Sequence, residues 1–287
     1  MSGLKEIRNR ISSVSSTMQI TNAMKMVSAA KLKKAQDSIS ATLPYSNKLS
    51  GLIQNISTSG ESLDSPFFIQ RSIKKILVVA ITSNKGLCGG FNSNVIKEVS
   101  RLIETKYLSK KVEIICIGKK GGDVLSKKNN VIDSFNSVYD EFSYENVKKI
   151  AELFMEKFSD ASYDEIILVY NHSKNAAAQH LTIEPYLPIE EDAEESSAQA
   201  SRDYIFEPSQ SEILNELIPK ALVVQLFKAI SDSIAGEHGA RMTAMYKATD
   251  NASEIRDQLK LTYNKARQTA ITNEILEIVG GAESLNS

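Results

Sequence analysis

The stretch IAGEHGARMTAMYKATDNASEIRDQL, Ile234 to Leu259, decides the fold. Ile234, His238, Arg241, Met245, Ala248, Ala252, Ile255 and Leu259 are separated by alternating steps of four and three residues, the spacing of a coiled-coil seam. No proline follows Pro219 before Gly280, so a single helix is expected over that span, stopped by Gly280 and Gly281. At about 1.5 Å per residue it would be ~90 Å long. A compact chain of 287 residues has a radius of gyration of ~19 Å and a diameter of ~50 Å. Such a helix is expected to protrude from its own domain, its far end covered by something outside the chain.

The opposite terminus carries a matching pattern. Leu4, Ile7, Ile11, Val14 and Met18 alternate at three- and four-residue steps, and the register continues through Thr21, Lys25, Ser28, Leu32, Ala35 and Ile39. The middle of this seam is polar, while Ala23, Met24, Met26, Val27, Ala29 and Ala30 lie beside it on another face, which implies more than one neighbour. Pro44 is expected to interrupt the helix, with a shorter one from Tyr45 to Ile56 and a Ser/Gly-rich break at 57–65.

Between the termini the period changes. Ile76 to Ile81, Val112 to Ile117 and Glu165 to Tyr170 are short apolar runs of the kind buried on both faces of a parallel sheet, and Val131 and Ile132 begin another strand. Helical patterns from about Ser93 to Tyr107, near Asp123 to Lys127 and from Glu145 to Phe158 alternate with them, the signature of a small α/β domain. His180 to Pro185 and Asp203 to Pro208 read as strands flanking an acidic surface loop, 190–201. The last helix begins near Ser209 with Ser211 as its N-cap, and Pro219 either kinks it or marks its first turn. The expected fold is an α/β domain, with a mainly parallel, Rossmann-like sheet, inserted between two long terminal helices that form an antiparallel coiled coil. The expected boundaries are 1–58 for the first helix, 59–72 for a linker, 73–208 for the inserted domain and 209–287 for the last helix.

Composition excludes several functions. At 42% apolar and 24% charged the chain is an ordinary folded composition, and a net charge of -1 gives no global reason to expect nucleic acid. Locally, residues 1–40 are net +5 and Glu190 to Glu195 holds five carboxylates; both read equally well as solvated surface. Cys88 and Cys116 have no metal spacing and read as reduced thiols, and no apolar run approaches the ~20 residues that span a bilayer.

The loop SNKGLCGG, Ser83 to Gly90, follows a strand and precedes a helix, where phosphate-binding loops occur, but it matches neither GxGxxG nor GxxxxGK[ST]. A tight strand-to-helix turn is the simpler reading. Cys88 has no evident base among His172, His180 and His238, and no metal site or bound cofactor is expected. The unusual chemistry lies near the end of the last helix, in Tyr263 to Glu274. There Gln268 and Thr272 are four residues apart with Arg267 beside them, so hydrogen-bonding groups face outward where Lys and Glu are more usual. A polar partner is one reading; an exposed helix with none is the other.

Several of these segments resemble one family, the gamma subunit or central rotor shaft of the F-type rotary ATP synthase. They are Lys5-Glu6-Ile7-Arg8, Ile20 to Val27, Gly86-Leu87-Cys88-Gly89-Gly90, Ala240 to Met245, Ala248 to Ala252 and Tyr263 to Thr272. The resemblance implies a non-catalytic subunit, one copy per complex, whose coiled coil passes up a ring of three alpha and three beta subunits. Its α/β domain would sit with the epsilon subunit on the membrane c-ring, with no nucleic acid and no insertion into the membrane. It further implies that Arg267, Gln268 and Thr272 contact loops of alpha and beta. Met24 and Lys25 would lie near the acidic lever of beta, and Arg241 is a further shaft contact. Asn84 and Lys85 depart from the family pattern, which has an acidic residue and an arginine there, and loop 190–201 lacks the cysteine pair of chloroplast relatives. The start at Met1 without a presequence favours a bacterial protein at the cytoplasmic face of the inner membrane. Two other classes stay open, a coiled-coil adaptor or nucleic-acid arm built on the basic first helix, and a nucleotide-dependent enzyme using the Gly86 loop.

Overall fold

The computed structural model describes residues 2–57, 65–139, 141–175, 178–189 and 210–285. The chain divides into two units, one made of residues 29–240 and the other of residues 1–28 together with 241–287. The expected strand at Asp203–Pro208 and the acidic loop 190–201 lie outside the described residues.

In the unit 29–240, apolar runs become central strands because a strand covered on both faces has no solvent side to keep polar. The elements are β1 (Lys75–Ile81), α2 (Phe91–Glu104), β2 (Lys111–Ile117), α3 (Lys119–Leu125), β3 (Val131–Phe135), α4 (Tyr144–Ser159), β4 (Glu165–Ser173) and β5 (Gln179–Leu187). The sheet order is β3-β2-β1-β4-β5; the first four strands are parallel and β5 runs antiparallel to β4. Alternate residues feed two cores. Ile76, Val78 and Ala80 with Ile114 and Cys116 pack under Val95, Val99 and Leu102 of α2 and Leu125 of α3. Leu77, Val79, Ile81, Ile166 and Leu168 pack under Phe154 and Phe158 of α4 and under Leu214, Ile218, Leu222 and Leu226 of the last helix. Ser143 caps α4, its hydroxyl accepting from the Asn146 amide at 3.3 Å.

The first helix, α1, spans Ser2–Ser57, and the last, α5, spans Gln210–Leu285. Four local expectations are corrected. Pro44 does not break α1: it forfeits one backbone bond, while Ser46 and Leu49 just beyond it are buried and Leu49 packs with Val224 of α5. Of the two alternatives for Pro219, the first-turn one falls: Pro219 lies inside α5, between the buried Ile218 and Leu222. Ser211 falls in the first turn of α5 rather than at its cap. Gly280 and Gly281 are helical, since glycine costs a helix only about 1 kcal/mol and is not by itself a stop.

In the unit of residues 1–28 and 241–287 the two helices pair directly. Thr21 meets Thr249, Lys25 meets Tyr246 and Met18 meets Arg256, so rising numbers on α1 meet falling numbers on α5 and the pair is antiparallel. On α1 the expected seam is the covered face: Leu4, Ile7, Ile11, Val14, Met18, Thr21, Lys25 and Ser28 are buried or half-buried. On α5 the seam shifts phase after Met245. Ile255 is 47% exposed, and the covered line runs Met245, Thr249, Ala252, Arg256, Leu259, Tyr263, Ala266, Ala270. An extra four-residue step moves the contact line one position round the helix, as such insertions do in coiled coils.

Candidate functional site

In open α/β sheets ligands bind beyond the carboxyl ends of the strands where the strand order reverses. Here that point lies between β1 and β4, next to the Ser83–Gly90 loop, and α5 fills it. A Cβ placed on Gly236 of α5 would meet Phe91 at 3.3 Å, the Asn171 carbonyl oxygen at 3.4 Å and Gln179 at 3.4 Å. His172 Nδ1 and Asp232 Oδ2 of α5 are 2.7 Å apart at the same strand end. Burial holds the Asp232 carboxyl above the usual carboxylate range, against the pull of the His172 bond.

The loop's polar groups are spent on its own shape. Ser83 accepts from Asn92 Nδ2 at 2.8 Å and donates to the Lys85 carbonyl at 2.7 Å, and the Ser83 amide donates to Asn92 Oδ1 at 2.9 Å. Leu87 and Gly89 take left-handed backbone angles, φ 62° and 59°, which make the turn. Asn171 Nδ2 donates to the Phe91 carbonyl at 2.9 Å, tying the start of α2 to β4. The expected tight turn is what the structure has. Burial pushes the Cys116 thiol up to about 12, and Cys88 is 2% exposed, so neither is placed as a nucleophile. No metal-binding cluster and no helix long and apolar enough to cross a membrane occurs among the described residues.

The six residues singled out from the sequence fall into separate places rather than one pocket. Met24 and Lys25 are half-buried on α1, with the Lys25 ammonium 5.6 Å from the Tyr246 ring centre, a cation–π contact. Arg241 is buried on α5, 7% exposed. Arg267 lies 26 positions further along the same helix, which at about 1.5 Å per residue is ~39 Å. Arg267, Gln268 and Thr272 are exposed and lie within about one turn of each other. The Thr272 hydroxyl donates back to the Gln268 carbonyl at 2.9 Å, so it faces outward as an acceptor rather than a donor.

Met26 and Val27, on the face of α1 expected to meet a further neighbour, are exposed, as is Ile20. One feature was missed: from Ile271 to Ala282 every residue of α5 is exposed, including Ile271, Ile275, Leu276, Ile278 and Val279. The apolar residues of the tip are plain in the sequence, but a run of that composition is equally that of a buried helix end, so exposure is not legible from it. An exposed stretch this apolar marks a surface that another molecule covers.

Relatives fix the assignment. Residues 3–285 match the family model described as ATP synthase. A protein named ATP synthase gamma chain from Flavobacterium johnsoniae is 61% identical over 287 residues, all of both chains. The chain belongs to the ATP synthase gamma chain family. The gamma chain of Christiangramia forsetii is 56% identical over the full length of both chains. A chain of the cryo-EM structure of the Euglena gracilis mitochondrial ATP synthase, OSCP/F1/c-ring, in rotational state 3, aligns with a TM-score of 0.71 at 24% identity over 99% of this chain and 95% of that one. The sheet inserted between two long antiparallel helices is therefore the family fold, and the chain is a subunit of an ATP synthase.

Proposed function

We propose that this chain is the non-catalytic central rotor of a proton-translocating F-type ATP synthase, one copy per complex. It contacts alpha and beta subunits, three of each, along the helix pair, and the epsilon subunit and membrane c-ring through the α/β domain. It is held peripherally at the cytoplasmic face of a bacterial inner membrane. Residues 1–58 and 209–287 serve as shaft and 73–208 as the seat on the ring. What carries this reading is the coincidence of full-length family identity with a helix end that is exposed on every side and half apolar.

The shaft makes and breaks no bonds. Turning presents different faces of the helix pair to each beta subunit, and a contact that differs between two states of that subunit shifts the balance between them. The faces do differ: Ile20, Met26 and Val27 are apolar, Lys25 is cationic and partly tucked against Tyr246, and Arg267, Gln268 and Thr272 are polar. Met24 and Lys25 meet the acidic lever of beta; Arg267, Gln268 and Thr272 meet loops of alpha and beta; Arg241, buried within the chain, has little surface to offer another subunit. Replacing Arg267 and Gln268 together by Ala is expected to lower proton pumping relative to ATP hydrolysis in vesicles reconstituted with the whole complex. Unchanged pumping and hydrolysis would remove these two residues from the coupling contact.

A further inference from the structure

In the unit 29–240, α5 is fastened to the β4–β5 hairpin by directional bonds set along one stripe. The Tyr186 hydroxyl donates to the Leu222 carbonyl at 3.0 Å. One turn on, Gln225 Nε2 donates to Glu184 Oε1 at 2.8 Å and to the Pro185 carbonyl at 3.1 Å. The Tyr170 hydroxyl holds the other oxygen of Glu184 at 2.6 Å, so that carboxylate is fixed from β4 as well as from α5. Two turns further, His172 and the buried Asp232 pair at 2.7 Å. Four residues beyond, Gly236 lies against the Asn171 carbonyl oxygen and Gln179 with no side chain between.

At about 100° per residue, positions 222, 225, 232 and 236 fall within an arc of ~80° of the helix. Leu222, Leu226, Ala229 and Ile230 of the same stretch belong to the apolar core and bury area without fixing direction. Hydrogen bonds weaken steeply when bent, and a glycine notch accepts a strand end at only one angle, so these groups set the angle of α5 about its own axis. The two polar pins come from two strands that are themselves paired from Ile166 to Ser173, so load on one strand is shared by the other.

We propose that the β4–β5 hairpin is a torque clamp on α5, with Gln225 and Asp232 as positioning residues that stop the shaft helix from slipping against the α/β domain. The proposal rests on the rotor reading above. It extends it from the residues that meet other subunits to those that carry rotation within the chain.

The test uses the whole ATP synthase in vesicles, with Gln225→Ala and Asp232→Ala combined in this chain, and reads protons pumped per ATP hydrolysed as the opposing gradient is raised. ATP hydrolysis is expected to stay within about twofold of the parent, while pumping per ATP falls at least about threefold at the steepest gradient, because slip grows with load. Asp232→Asn in place of Asp232→Ala is expected to restore most of the loss, since the amide oxygen still accepts from the imidazole. Gln225→Ala alone, at a half-buried position that does not threaten folding, is expected to give an intermediate loss. Pumping per ATP equal to the parent at every gradient in both the single and the combined variant would overturn the clamp. Coupled pumping by a complex assembled without this chain would overturn the rotor reading itself, and the clamp with it.

Discussion

The hydroxyl oxygens of Thr21 on α1 and Thr249 on α5 are 2.8 Å apart, a hydrogen bond across the seam where an ordinary coiled coil places aliphatic side chains. Each hydroxyl has one proton, so one donates across the seam while the other donates to its own helix, either Thr21 to the Met18 carbonyl at 3.1 Å or Thr249 to the Met245 carbonyl at 2.8 Å. Small polar residues keep the two helices close without a wide apolar strip.

Replacing either threonine by valine leaves the other hydroxyl facing a methyl group and is expected to cost about 1 kcal/mol in the unfolding free energy of the chain. The double replacement is expected to cost less than the two single ones added, because it leaves no polar atom behind. Urea unfolding of the four proteins measures the difference; strict additivity would show that the bond contributes nothing of its own.

Gly118 joins β2 to α3 at φ +100°, and a Cβ there would stand 1.9 Å from the Thr82 carbonyl oxygen. Gly118→Ala is therefore expected to destabilise the α/β domain by about 3 kcal/mol or more. Gly86→Ala meets only the flexible end of Lys120 at 4.0 Å and is expected to change stability by less than about 0.5 kcal/mol. Unfolding midpoints of the two variants should separate widely.

Partial burial works against the Asp164 carboxylate, but the amides of Lys75 and Lys74, each 2.9 Å from it, outweigh that and hold its pKa below the usual value of 3.8. A carboxylate whose pKa is depressed on folding adds stability above its unfolded pKa, and that stability is lost as pH falls through the folded value. Asp164→Asn is expected to lower Tm at neutral pH and to converge with the parent as pH falls below the usual carboxyl value. A Tm difference that persists unchanged at low pH would assign the effect to packing instead.

The apolar tip gives a binding prediction. Ile275, Leu276 and Ile278 are 55%, 63% and 71% exposed. If the alpha and beta subunits cover them, replacing all three by Ser is expected to weaken retention of the chain on an alpha–beta assembly by about 3 kcal/mol, roughly 100-fold. Retention equal to the parent in a pull-down titration would place the covering surface elsewhere.

Much of the fold was legible because its signals are local. β1, β2 and β4 were located within a residue or two at their starts, since strands buried on both faces must be apolar throughout, and the α1 seam was read residue by residue from Leu4 to Ser28. Boundaries that depend on packing were not. Pro44 and Gly280 have the local character of helix breaks, yet the bonds lost there are fewer than those the rest of the helix keeps. The glycine loop was legible as a turn, but Gly236 of α5, which lies against Phe91 just after it, stands about 150 residues away in the chain and leaves no mark near the loop.

The sequence by itself determined two long helices, a mainly parallel sheet between them, and the segments that place the chain in its family, because period and composition are properties of a stretch and its neighbours. Only the tertiary structure decided that Arg256 rather than Ile255 lies in the seam, that α5 fills the crevice beside β1 and β4, and that His172 meets Asp232. Each of these depends on which face of one element meets another, and neighbouring residues on a helix differ by only about 100°. That choice is made by the total fit of the partner surface, which no single stretch of sequence carries.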